Sequence, residues 1–475
     1  VNFTEEQIST IVRQVVENIG LQPEVNQTVA PIRHENEWGV FETVDDAIDA
    51  ADKAFQEYQK FGLQDRKAFT DAIRKMCMER QEELSRMVFE ETQMGRYEDK
   101  LLKHQFAASE TPGIENLETT AWSGKNGLAL EEWAPYGIIG AITPSTHPSE
   151  TMINNSIMML AAGNVVIFCP HPSAKNVSNY TVKRINEVLV DAGAPENLIV
   201  CVQDPTLDTA KQVLNHEKIR LLSITGGPAV VRAAMKTNKK VIAAGPGNPP
   251  VVIDESADLD HAAERITLSA GFDNNILCTA EKEIFVVESV FSAFMQAMQK
   301  PGNVLLNQSQ VEQLAQKAFE KKKYLHILSR DLVGRNASVL AKAIGLNISD
   351  EVCLLYGETQ NDHVFVQEEQ MMPFIPVVKV KDFEQGVQLA LEAEHGYGHT
   401  ASVFTNNMTR ATDFAKRANC SIFVINGGTF QGNGGEQGEG TLAFTIATPT
   451  GEGITRPTDF ARIRRIMNVG SFRFV

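Results

Sequence analysis

The sequence predicts an α/β protein built on a doubly wound parallel sheet, with a second α/β unit following it. Short apolar runs alternate with helical stretches from Tyr136 to Gly245, the pattern of a parallel sheet covered by helices on both faces. At 475 residues the chain exceeds one ordinary core, so two or three domains are expected. A Gly/Pro-rich "GPGNPPVVID" then breaks the phase and marks a boundary before the second unit.

Residues 1–20, "VNFTEEQISTIVRQVVENIG", form an element of their own. Thr4 with Glu5, Glu6 and Gln7 gives an N-cap and capping box. Ile8, Ile11, Val12, Val15, Val16 and Ile19 then recur along one helical face, and Gly20 is a stop. Such a helix either packs on its own domain or serves a partner, and a polar linker follows it. From Val44 to about Glu110 the pattern is helical and highly charged. "YGIIGAITP", "NVVIFCP", "NLIVCV", "IRLLSIT" and "KKVIAAG" are five strands in turn, with helices between them. A second α/β section runs to about Asn426. The stretch from Gly427 to Gly440 is glycine-dense and too polar to pack, so it is either a flexible loop or backbone passing close to a ligand.

Bulk properties exclude several functions. A formal charge of −16 and a pI near 5.2 argue against nucleic acid and give no attraction to anionic membranes. The longest apolar runs, such as "VVIF" ending at Phe168, are too short to span a bilayer, and no secretory signal is read. The six cysteines, at 77, 169, 201, 278, 353 and 420, form no CxxC pair and no metal cluster with the ten histidines. Reduced thiols in a cytoplasmic protein without a metal are therefore expected.

One cysteine stands apart. "GFDNNILCTAEKE" puts Cys278 among turn-forming residues, on a loop leading into the strand-like "EIFVV". A half-buried structural thiol is the plain alternative to a reactive one. Two strand ends also suit phosphate. "SITGGPAVV" sets Gly226 and Gly227 before a helix that Pro228 opens, where amide groups can face a pyrophosphate, although an ordinary tight turn reads the same way. "FCPHPSAKN" ends a strand on His171, which suits a ribose or phosphate or is simply a surface histidine. No G-x-G-x-x-G follows a strand.

Together these stretches, with "ITPSTHPSETMINNSIMMLAAG", "EQMMPFIPVV", "EHGYGHTASVFTNN" and "FTIATPTGEGITRPTDFARIRR", resemble the aldehyde dehydrogenase superfamily, in family order from about Phe41 to Arg465. Within it they are most similar to the CoA-acylating enzymes of ethanolamine and propanediol utilisation. The resemblance implies a nucleotide-binding domain over 21–242, of which about 120–135 contributes to a β-rich oligomerisation arm. It implies a catalytic domain over 243–430, and a return to the first domain and the arm over 431–475.

The resemblance makes Cys278 the nucleophile and NAD and coenzyme A the co-substrates. It implies Ile142, Thr143, Pro144, His171, Pro172, Thr225, Gly226 and Gly227 as cofactor-binding residues. Thr146 and His147 fall where other members carry the oxyanion donor, and His147 replaces the asparagine of acylating members, so either side chain is the donor. His147 could instead shape the aldehyde pocket toward a polar or anionic substrate. The adenosine-ribose lysine of hydrolytic members falls on His171 or Cys169, which favours NAD over NADP. Their ribose-binding glutamate falls on Met372, and the nearby Glu369 receives no role. Their water-activating glutamate falls on Ala243.

Acetaldehyde or propionaldehyde is the expected substrate, with a polar aldehyde such as sulfoacetaldehyde behind them. A hydrolytic enzyme and a catalytically silent scaffold are the competing readings. A homodimer or homotetramer is implied. The 1–20 helix resembles the peptides that carry such enzymes to the shell proteins of bacterial microcompartments.

Overall fold

The computed structural model describes residues 38–322, 325–435 and 438–472. The helix expected over 1–20 lies outside them.

Helix Val44–Tyr58 starts where Thr43 accepts a hydrogen bond from the Asp46 amide at 3.1 Å. Helices Leu63–Thr92 and Tyr97–Ser109 complete the charged N-terminal section. A six-stranded parallel sheet follows. Its order is Val40–Phe41, Ile199–Val202, Val165–Pro170, Ile138–Thr143, Ile219–Thr225 and Lys240–Ala244. The five expected strands are all present, and Val40–Phe41 adds an edge that two residues are too short to announce. Almost every residue of the inner strands is buried, which is why they read as unbroken apolar runs. The chain winds outward in both directions from Ile138–Thr143. The order therefore reverses between that strand and Ile219–Thr225, and ligands of open α/β sheets bind outside the carboxyl ends at such a point.

The second sheet has seven parallel strands, with Glu283–Val287 flanked by Pro250–Ile253 and Phe374–Val380. Its two faces are covered by separate apolar clusters, one around Phe294 and Ile266 and the other around Phe383 and Phe414. A third, antiparallel sheet joins Thr120–Gly124, Gly127–Pro135 and Ala461–Val469. Its outer strands are exposed nearly throughout.

The glycine-dense stretch, expected to be too polar to pack, does pack over its described part. Thr429–Asn433 forms a 3-10 turn in which Thr429 and Asn433 are buried, and Phe430 packs on Phe272 at 4.5 Å between ring centroids. The Thr429 amide donates to Glu281 at 2.7 Å and that of Phe430 to Ser269 at 2.9 Å. The backbone thus passes over the loop that carries Cys278.

Candidate active site

Helix Leu259–Gly271 ends at the loop that carries Cys278, and the chain then makes an uncommon turn. Asp273, Asn274 and Asn275 have φ of 48°, 55° and 61°, three non-glycine residues in succession in the left-handed region. Each costs on the order of 1 kcal/mol, least for Asn and Asp, so the surroundings must hold them. The Asn274 amide donates to the Gly95 and Gly334 carbonyls and to Asn336, at 2.9–3.1 Å. Lys282, fully buried, donates to the Asn275 and Leu277 carbonyls at 2.8 and 3.1 Å, and to the Asn275 side chain. Asp273 receives the Arg96 amide on one carboxylate oxygen and two lysines on the other.

Cys278 is half-buried and opens on a narrow cavity. Lys103, Phe106, His147, Phe430, Leu442 and Phe444 are among its walls, with Asn433 and Thr279 at the polar side. Burial pushes the Cys278 thiol up to about 12, and the charge of Glu369 adds to this against the pull of Lys282. The resting thiol is therefore held toward its protonated form. A second buried acid, whose charge acts on Cys278, is Glu369. Burial raises it to about 7, although Lys282 and the Gly247 amide favour its charged form. Gly247 is a close neighbour as well, since a Cβ there would lie 2.5 Å from the Cys278 carbonyl oxygen and 3.0 Å from the His399 ring. Burial, then Lys282, brings His399 down to about 4, and its Nε2 is buried with no hydrogen-bond partner.

Of the two expected oxyanion residues, His147 lines the cavity with Cys278, and its ring lies 5.7 Å from that of Phe444. Thr146 is buried beside it, its hydroxyl 2.9 Å from His147 Nδ1. Burial and then Lys103 lower His147 to about 3, so the imidazole is neutral. His147 stands at the N-cap position of the fully buried helix Pro148–Ala161, whose first turn carries Glu150.

The expected cofactor residues gather at the carboxyl ends of the first sheet. Thr143 pairs with Pro170 and Ile142 with Ile224 in the register, and Pro144 follows directly. A dinucleotide fits what they offer. Thr143 Oγ1 is buried without a hydrogen-bond partner. Gly227 caps helix Pro228–Met235, and the space where its Cβ would stand is open to 4 Å, so backbone amides there are approachable. His171 is exposed just beyond its strand, with Nδ1 on Ser173 at 2.7 Å and Pro172 opening a short turn. The Thr225 hydroxyl bonds that of Thr445 at 2.8 Å, and Ile446 next to it lines the Cys278 cavity. The 442–446 segment thus links the cofactor strands to the thiol.

Sequence reasoning left Glu369 without a role and missed His399, Gly247, Lys103 and Asn433. Met372 is buried at 0% exposure and offers no ribose contact. Ala243 is equally buried, with its amide on Thr450 at 3.0 Å, and holds no proton acceptor. Among the described residues no cluster of three or more His, Cys, Asp or Glu could hold a metal, and no helix is long and apolar enough to cross a membrane.

The profile of the Aldehyde dehydrogenase family matches residues 21–438. Acetaldehyde dehydrogenase (acetylating) EutE of Salmonella typhimurium is 43% identical over 467 residues, covering 98% of this chain and 99% of that protein. The crystal structure of Rhodopseudomonas palustris propionaldehyde dehydrogenase with bound CoA and an acylated cysteine superposes with a TM-score of 0.88 at 43% identity, over 92% of this chain and 99% of that one. Propionaldehyde dehydrogenase from the Clostridium phytofermentans fucose utilisation bacterial microcompartment gives 0.89 at 41% identity, over 92% and 99%.

Proposed function

The chain belongs to the aldehyde dehydrogenase family, and from that membership we propose that it is a CoA-acylating enzyme converting a short-chain aldehyde to its acyl-CoA. One observation carries this most directly: Cys278 opens on an apolar cavity beside the cofactor strands, while the place of the hydrolytic glutamate is a buried alanine.

In this reading Cys278 Sγ loses its proton to Glu369 and bonds the aldehyde carbon. The negative charge on the former carbonyl oxygen is met by a hydrogen-bond donor from His147 or Thr146. Thr143, Thr225, Gly226 and Gly227 at the carboxyl ends of the first sheet would hold NAD+, which would supply the hydride acceptor. Cys278 then holds the acyl group as a thioester, passes it to the CoA thiol and regains its proton. The missing lysine, whose place falls on His171 or Cys169, supports NAD over NADP. The cavity walls support acetaldehyde or propionaldehyde over an anionic aldehyde, because His147 is neutral and Lys103 is committed to carboxylates. A homodimer or homotetramer inside a microcompartment completes the reading, supported by the exposed third sheet and by the origin of the C. phytofermentans relative.

The test is NADH release from acetaldehyde or propionaldehyde with and without CoA. General-base help to water is worth roughly 10²–10⁴-fold, so without CoA a burst of about one NADH per Cys278 should appear and stop. Its thioester should be visible as added mass on the Cys278 peptide. Cys278→Ser should bind NAD+ and give neither burst nor turnover. Steady acid production without CoA would mean that Glu369 activates water, and the hydrolytic reading would stand instead.

A further inference from the structure

Lys100 and Lys103 lie one turn apart on helix Tyr97–Ser109 and are both fully buried. Both donate to the same oxygen of Asp273, at 2.7 and 2.6 Å, and both donate to the main-chain carbonyl of Thr146, at 2.8 and 3.2 Å. Lys103 also reaches Glu150 at 3.6 Å. Asp273 begins the left-handed turn that leads to Cys278, and Thr146 precedes the cavity-lining His147. The two segments are far apart in sequence, one following a strand of the first sheet and the other preceding a strand of the second, and these two ammonium groups bond both.

We infer that Lys100 and Lys103 are positioning residues that fix the oxyanion-donor segment at Thr146–His147 against the nucleophile loop at Asp273–Cys278. This rests on the reading of Cys278 as the nucleophile. Two charged donors bonding one carboxylate oxygen and one carbonyl oxygen leave those atoms little freedom, because buried charge-assisted hydrogen bonds are strong and costly to break. Burial alone would discharge both lysines. It does lower Lys100 to about 8, whereas Lys103, with Asp273 and Glu150 both at hand, is held above its ordinary value. Arg96 and Gly95 complete the seat on the Asp273 side. The Arg96 amide bonds Asp273 at 3.0 Å, and Gly95, at φ 80°, approaches so closely that a Cβ there would overlap the carboxylate. A clamp of this kind acts on the distance between Sγ and the oxyanion donor. It should therefore matter for attack on a carbonyl and much less for the thiol's reaction with a reagent that needs no donor.

The experiment compares wild type with Lys103→Met and with the charge-balanced pair Lys103→Met/Asp273→Asn, which leaves Lys100 and Glu150 to offset each other. Wild-type enzyme is first mixed with propionaldehyde and NAD+ without CoA. If Cys278 is not acylated there, the nucleophile reading fails and the clamp with it. If it is, the rate of that single acylation should fall about 100-fold in both variants, the scale of losing an oxyanion donor. NAD+ affinity and the iodoacetamide alkylation rate of Cys278 should stay within about fivefold of wild type. A folded variant that acylates within about threefold of wild type overturns the inference while leaving the nucleophile standing. Alkylation falling in parallel with acylation overturns it too, by assigning the lysines to thiol reactivity. Failure of both variants to fold would make the pair a stability element and end the positioning role.

Discussion

Cys278 and Glu369 are best understood together. Burial and then the Glu369 charge raise the thiol, while burial holds Glu369 itself near 7. Moving the thiol proton to Glu369 keeps the net charge constant and removes the carboxylate that opposed the thiolate. Because a base works only when deprotonated, kcat/KM for the aldehyde should rise with pH through about 7 and then level off. Glu369→Gln should lower kcat/KM by roughly 10²-fold and erase that inflection. An unchanged inflection in the glutamine variant would exclude Glu369 as the acceptor. The loop position of Cys278 was legible from the turn residues Asp273 to Asn275, although all three are buried, and its expected role came from the family resemblance. Glu369 and His399 were not legible, because what marks them is proximity to Cys278 and Gly247 in space, and nothing local to "EEQMM" or "GYGHT" announces that.

At the scale of elements, the parallel strands could be read because burial on both faces makes them continuously apolar, as in "NVVIFCP" for Val165–Pro170. Thr120–Gly124 could not be read from its residues alone, since all five are exposed and neither hydrophobic run nor alternation is left. The "GPGNPP" stretch was legible as a boundary but not as part of the site. There Gly247 is required by close approach, since it allows the loop to lie on the Cys278 carbonyl and the His399 ring. Gly247→Ala would force that carbonyl to move, the contact at 2.5 Å being with backbone that cannot rotate away. The nucleophile loop should shift by several tenths of an ångström while both sheets stay intact. A misplacement approaching 1 Å can cost about 10²-fold in rate, so the variant should show native NAD+ binding with kcat reduced by about 10- to 100-fold. A variant with wild-type kcat would mean that the loop tolerates the displacement and that the close approach is incidental to catalysis.

For the whole molecule, two segments point beyond a single chain. Residues 1–20, expected as an amphipathic helix on a polar linker, should be dispensable for chemistry if they address a shell protein. Their deletion should leave solution kinetics nearly unchanged and abolish co-purification with microcompartment shell proteins, and loss of the fold would instead make them part of the core. The third sheet makes the stronger case. Among the described residues Ala461–Val469 pairs on one side only, with Gly127–Pro135. Its side chains are exposed on both faces: Ile463 at 60% and Val469 at 77%, with Ile466 and Met467 at 48%. A long open edge bearing apolar residues recruits another strand or aggregates unless it is covered. Arg462, Arg464 and Arg465 guard against indiscriminate pairing, and the Arg465 ion pair with Glu131 helps to hold the strand in register. A second copy of the same chain is the partner that could cover it without further components. Ile463 and Met467 share one face by the two-residue period of a strand, so Ile463→Glu with Met467→Glu places two charges where that contact would be dry. By light scattering the wild-type protein should have a mass two or four times the 52.3 kDa of one chain, and the double variant should fall to 52.3 kDa. A wild-type mass of a single chain would show that the exposed strand is not covered by its own kind.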